Sequence, residues 1–276
     1  GISLSAVTAT TATLTMPIIK DKQFTLTMDN YSKPTISRCP SWLEHITPVS
    51  TRSTPENKTV SFTFKLKEDA TSFDDTQIVF TNATGGTSMP MNIAREFQTP
   101  TIEVVSTDPS VNSYISSNKS LNLYQLKSSY YSTVTLKVYS LGGSVLQLPG
   151  GVEADFAESN TKEHNYVIKY KTSSLSLSDV NSGTLYVKNL SDETKREAIA
   201  VTFKSSLPTV TSNRDGQGIT YNCTTSDIDI YIKENIGTAG ETGFTFIFTS
   251  PVGYNFISIS ESNAQNFTQV STGTVI

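Results

Sequence analysis

Phe24-Thr25-Leu26-Thr27-Met28 carries an apolar side chain at every second residue, and the same alternation returns at Val134-Thr135-Leu136-Lys137-Val138 and at Phe244-Thr245-Phe246-Ile247-Phe248. Alternation with a period of two marks a strand with one buried face. Successive copies start 110 residues apart. A fixed interval of that size means tandem copies of one module. The sequence therefore predicts an array of β-sandwiches.

Working outward, the first two copies keep step. Leu26 to Trp42 covers the same distance as Leu136 to Val152, so a gapless register aligns Pro40-Ser41-Trp42-Leu43-Glu44 with Gly150-Gly151-Val152-Glu153-Ala154. Further alternating runs follow in each copy: Val60, Phe62, Phe64 and Leu66 against Tyr166, Ile168 and Tyr170, then Ile78 and Phe80 against Leu185 and Val187. Polar turns come next, Asn82-Ala83-Thr84-Gly85-Gly86 and Asn189-Leu190-Ser191-Asp192-Glu193, rich in residues that tolerate tight hairpins. Met89, Met91 and Ile93 close the first copy, and Ile199, Val201 and Phe203 close the second. Upstream of each opening strand lies one more alternating run: Leu14 and Met16, then Leu121 and Leu123, then Ile228, Ile230 and Ile232.

The joints repeat too, as Pro100-Thr101-Ile102 and Pro208-Thr209-Val210. Proline fixes φ and lacks a donor, which suits a stiff crossing between modules. These signals divide the chain into 1–97, 98–206 and 207–276. The third copy holds the opening runs without the closing ones, so it is expected to be partial or divergent: either the chain is a fragment of a longer protein, the favoured expectation, or the last module is built differently.

Serine and threonine supply 77 of the 276 residues, against 17 % charged residues. Threonine suits exposed sheet faces and serine suits turns. A net charge of −4 with dispersed basic residues offers no cationic face for a phosphate backbone, so nucleic acid is excluded as an expected partner. No apolar run approaches the ~18–20 residues that cross a bilayer. Cys39 and Cys223 fall at non-equivalent positions of different modules and read as idle thiols rather than a framework disulfide.

Chemistry-bearing residues are sparse. His45 and His164, the two histidines, sit apart in different modules and in or beside strands, with no motif for a nucleophile and its base. Histidine and cysteine show no zinc-type spacing. Asp74-Asp75 and the pair Asp227 and Asp229 read as solvated turn or strand charges. Asn213-Arg214-Asp215-Gly216-Gln217-Gly218 is turn-rich but lacks the acidic series and final glutamate of a calcium loop. The expectation is a non-enzyme with no cofactor and no metal.

Aromatic residues are the better candidates, because sugar rings stack on exposed aromatic faces. Tyr130 and Tyr131 precede a strand, Tyr31 and Tyr254 occupy predicted hairpin tips, and Phe256 follows Pro251-Val252-Gly253. Trp42 has two readings. Its replacement by Val152 in the aligned copy favours a core slot, and a ligand platform is the alternative.

The order of a strand, Ser41-Trp42-Leu43, a polar loop, an alternating strand, then Gln77-Ile78-Val79-Phe80-Thr81-Asn82 and a Gly-Gly turn resembles BACON domains. The likeness covers about 20–95, and it extends to 131–204, where Lys195-Arg196-Glu197-Ala198-Ile199 is similar to the family's approach to its last strand. The resemblance implies tandem Ig-like β-sandwich domains, two complete and a third partial or divergent. It implies non-catalytic modules of surface or secreted proteins of gut Bacteroidetes that bind carbohydrate or mucin or act as spacers, and it carries over no binding residue. The expected setting is secreted or cell-surface, anchored to the outer membrane or extracellular, with any signal peptide removed. Other surface proteins are the further expected partners. The alternative is an adhesin or fimbrial subunit that assembles by strand exchange.

Overall fold

The computed structural model describes residues 3–4, 12–29, 34–46, 59–67, 69–81, 88–126, 130–172, 175–207, 209–212, 219–223, 228–232 and 246–252. These residues form strands, turns and irregular segments, with no helix among them.

The first unit runs β1 (Ser3–Leu4), β2 (Ala12–Pro17), β3 (Gln23–Asp29), β4 (Thr35–Arg38), β5 (Leu43–Ile46), β6 (Thr59–Leu66), β7 (Gln77–Thr81) and β8 (Ser88–Glu96). They make two sheets, β1-β2-β8-β7-β4 and β3-β6-β5. The predicted alternation sets the facing. Phe24 and Leu26 on β3, Phe62, Phe64 and Leu66 on β6, and Ile78 and Phe80 on β7 turn into one apolar cluster with Leu14 and Met16 from β2. Threonines take the outer positions of β3, where Thr25 and Thr27 meet Thr63 and Ser61 of β6 through hydroxyl contacts of 3.0 Å each.

The second unit runs β9 (Thr101–Asp108), β10 (Ser113–Ile115), β11 (Ser120–Tyr124), β12 (Ser132–Tyr139), β13 (Ser144–Gln147), β14 (Val152–Ala154), β15 (Glu158–Ser159), β16 (Glu163–Tyr170), β17 (Val180–Asn189) and β18 (Asp192–Lys204). One sheet is β14-β16-β12-β9 and the other β10-β11-β18-β17-β13-β15. Taking β9, β12, β13, β14, β16, β17 and β18 as the principal strands, the first, second, fifth and fourth share one sheet and the third, sixth and seventh the other. That is the immunoglobulin partition. In both units a strand upstream of the repeat strand pairs in parallel with the last one, Leu14 with Ile93 and Leu121 with Val201.

The third unit begins on the same plan with β19 (Thr209–Ser212), β20 (Ile219–Cys223), β21 (Ile228–Ile232) and β22 (Phe246–Thr249). Thr209 pairs with Thr249 as Thr101 pairs with Tyr139, and β20 and β21 form an antiparallel pair like β10 and β11. The fold is therefore a tandem array of Ig-like sandwiches.

Two sequence expectations change. Pro100-Thr101-Ile102 opens a full strand rather than a simple joint. Its apolar period is broken at Val105, an extra residue between the pairs Ser106 with Thr135 and Val104 with Leu136. A bulge of this kind hides a strand from a period-two reading. The gapless register also slips by one. Leu43 pairs with Leu66 and Val152 with Tyr170, while Leu66 and Tyr170 hold matching places beside β3 and β12. Val152 thus matches Leu43, and Gly151 matches Trp42. Gly151 has φ +80°, a conformation an L side chain rarely adopts.

Candidate functional site

The two-residue period decides which aromatics reach solvent. Ser132 pairs with Tyr170 across β12 and β16, so Tyr131 and Lys171, one step beyond on each side, lie opposite one another. Ser132 and Tyr170 point inward, and Tyr170 stacks on Phe203 at 3.5 Å between ring centroids. Tyr131 points outward and is 44 % exposed, with Tyr130 at 68 %. The Lys171 Nζ stands 5.4 Å from the Tyr131 ring centroid, a cation–π distance. A ring braced by an ammonium beside a second exposed ring is a surface that suits the C–H face of a sugar.

The second feature is the joint between the first two units. Leu141, in the turn after β12, leaves its own sandwich and enters the first unit's apolar cluster beside Phe97, with Tyr139 packed against the same cluster. Asn189, buried at the end of β17, donates from Nδ2 to the Leu141 carbonyl at 2.8 Å and to the Gln98 carbonyl at 3.3 Å. Its Oδ1 accepts from the Ser191 amide at 2.9 Å. One amide side chain therefore ties the segment that links the two units, at Gln98, to two turns of the second. Gly142 completes the contact. At φ +98°, a Cβ there would stand 2.8 Å from Phe97 Cε1. At the next joint Ser250 holds the place of Ser140 and donates from Oγ to the Ser206 carbonyl at 3.2 Å.

The remaining candidates fall elsewhere. Trp42 is 1 % exposed, and its indole N–H donates to the Asp75 carbonyl at 2.6 Å. A ligand has no access to that ring, so the platform reading of Trp42 is corrected to the core one. Tyr31, Tyr254 and Phe256 lie outside the described residues, as do Asp227 and the loop 213–218. Asp75 takes a two-pronged contact from Arg38, with Nη2 to Oδ1 at 3.0 Å and Nε to Oδ2 at 3.3 Å. Asp74 accepts from the Ser72 hydroxyl at 2.7 Å.

The His45 ring packs on Phe62 and Phe64, and the His164 ring on Phe156 and Tyr166. The Nε2 of each is buried with no hydrogen-bond partner among the described residues. Burial pushes the half-buried Cys39 thiol above its ordinary pKa, which opposes a reactive thiolate. Among the described residues no group of three or more His, Cys, Asp or Glu is placed to hold a metal ion. No helix there is long and apolar enough to cross a membrane. Sequence reading missed Asn189 as a joint residue, because it stood in a turn motif whose polar composition explained itself. The one available signal was that the turn directly precedes the long closing strand.

No protein-family model matches the chain, and no curated protein does. Among solved structures the chain is similar to the Yersinia pseudotuberculosis adhesin InvE, with a TM-score of 0.37 and 11 % identity over 80 % of this chain and 66 % of that one. It is similar to an I-band fragment of titin, with a TM-score of 0.30 and 11 % identity over 86 % of this chain and 91 % of that one. It is also similar to an endo-fucoidan hydrolase from glycoside hydrolase family 107, with a TM-score of 0.25 and 9 % identity over 84 % of this chain and 42 % of that one. At such scores the assignment to an Ig-like array stands on strand order and register alone.

Proposed function

We propose that this chain is a non-catalytic, stalk-like part of a secreted or cell-surface multi-domain protein, in which fixed joints hold successive sandwiches in a set arrangement. The observation that carries the reading is the Asn189 clamp over a shared apolar contact. A spacer that only tethered its modules would need neither. The reading keeps company with the BACON resemblance, whose modules serve as spacers or glycan binders in bacterial surface proteins.

Small-angle scattering of the full chain tests it. A fixed joint gives one pair-distance distribution that a single arrangement fits. Asn189→Ala leaves the buried Leu141 carbonyl and the part-buried Gln98 carbonyl without this donor, costs the joint about 1–3 kcal/mol, and broadens that distribution. A wild-type curve that only a freely jointed ensemble fits would overturn the proposal.

A second reading is carbohydrate or mucin binding at Tyr130 and Tyr131, favoured by their exposure and by the Lys171 brace. Tyr130→Ala and Tyr131→Ala leave stability within about 0.5 kcal/mol, as surface substitutions do. On a glycan and mucin array they remove binding that the wild-type chain shows. Retained binding in the double variant would dismiss this surface. The adhesin alternative shares the array architecture and differs in needing a partner strand.

A further inference from the structure

The two apolar cores do not divide at the joint. The cluster of the first sandwich takes in Leu141, 7 % exposed, and has Tyr139 packed against it, although both residues belong to the second unit. The cluster of the second sandwich is drawn from its own strands, and among the described residues it takes nothing from the first unit. Leu141 stands beside Phe97, which meets Phe73 edge to face with ring centroids 5.6 Å apart, and Phe73 packs on Trp42 at 5.5 Å. The borrowed leucine therefore reaches the aromatic centre of the first core.

The turn that carries Leu141 is built by the second unit alone. The Gly143 amide donates to the Ser140 carbonyl at 3.1 Å, and the Leu190 amide donates to the Gly143 carbonyl at 3.1 Å. The Ser191 hydroxyl donates to the Gly142 carbonyl at 2.9 Å, and Asn189 Nδ2 to the Leu141 carbonyl at 2.8 Å. Segment 140–143 is thus held by segment 189–191, which sits between β17 and β18 and keeps its place only while the second sandwich is folded. Neither unit on its own contains the contact.

We propose that Leu141 couples the stabilities of the first two sandwiches. An interaction present only when both are folded stabilises each by the same factor, because coupling between two equilibria is reciprocal. Unfolding of the second unit withdraws the leucine from the first core, and unfolding of the first removes the burial that rewards the second for holding its turn. The inference goes beyond the stalk reading, since a joint fixes an arrangement equally well between two independent sandwiches.

Native-state hydrogen exchange of the full chain tests it, read at the slowest amides of 59–66 for the first unit and of 199–203 for the second. Leu141→Ala is expected to speed exchange at both places by the same factor, about tenfold or more, although the side chain fills only one of the two cores. Phe64→Asp with Ile78→Asp places two unpaired charges at positions that are 0 % exposed and unfolds the first sandwich. In that background 199–203 is expected to stay protected but to exchange faster by the same factor, and Leu141→Ala is expected to add nothing further. Faster exchange in the first unit alone after Leu141→Ala would overturn the proposal. So would a second unit indifferent to unfolding of the first, or a further effect of Leu141→Ala once the first is unfolded, because the leucine would then serve its own sandwich.

Discussion

Trp42→Ala removes about 3–5 kcal/mol from the first sandwich, the range for truncating a large buried aromatic. Two losses coincide at this position. The indole is packed against Phe73, with ring centroids 5.5 Å apart, inside a cluster that includes Leu43, Phe97 and Leu141. Its N–H satisfies the Asp75 carbonyl at 2.6 Å. The backbone carbonyl of residue 42, which alanine keeps, accepts from the Lys67 amide at 3.0 Å and still holds the start of β5 to the end of β6. For a unit of this size the loss lowers the first melting transition by roughly 15–30 °C. Calorimetry reads it, and the transition of the second unit should move far less. Trp42→Phe restores most of the volume without the donor and falls between, at about 1–3 kcal/mol. A melt of Trp42→Ala that matches wild type would mean the slot is not the keystone of that core. As the sole tryptophan of the chain, Trp42 also makes intrinsic fluorescence a reporter of the first unit.

Asn112→Ala is expected to cost the second sandwich about 2–4 kcal/mol, more than a surface asparagine by the difference between lost and orphaned hydrogen bonds. Asn112 is buried, and its Nδ2 donates to the carbonyls of Asp108 at 2.9 Å and Thr133 at 3.1 Å. Its Oδ1 accepts from the Tyr124 amide at 2.8 Å and the Ser132 hydroxyl at 3.1 Å. One side chain thus satisfies groups from β9, β11 and β12 where the chain crosses from one sheet to the other. Truncation leaves the buried Ser132 hydroxyl and three part-buried backbone groups without these partners. The amides of 101–108 should then exchange faster before the rest of the unit does, and thermal melting should shift with them. Asn112→Asp, which keeps the acceptor and loses the donors, should destabilise as well. If neither variant changes exchange along β9, the crossing is held by something else.

Much of this architecture was legible because burial writes itself into the sequence at a period of two. Val134, Leu136 and Val138 point into the core as the alternation requires, and Ile199, Val201 and Phe203 do the same on β18. Exposure of Tyr130 and Tyr131 was legible from their place just ahead of the strand, before its first inward residue, Ser132. What escaped was whatever breaks the period or acts across distance. Val105 disrupts β9 by one residue, and the strand vanished into a joint. The slip between Trp42 and Val152 is also a single residue, invisible until the partners Leu66 and Tyr170 fix the register. Asn112 and Asn189 were unreadable because a buried asparagine in a turn has the same letter as a solvated one. Only the carbonyls it meets, as far off as Gln98 is from Asn189, distinguish them.

The parallel pairing of β11 with β18 has a mechanical consequence. The second unit is entered at Thr101 on β9 and left beyond Lys204, so once β9 and β10 have yielded, a pull on the two neighbouring units draws β11 and β18 in opposite directions along their own axes. The ladder from Ser120 and Ala200 to Tyr124 and Lys204 spans five residue pairs. It is loaded in shear, so its bonds must yield together, whereas a hairpin pulled from its open end parts one bond at a time. β2 and β8 repeat the arrangement over six pairs in the first unit. The first two sandwiches thus each carry a latch against stretching.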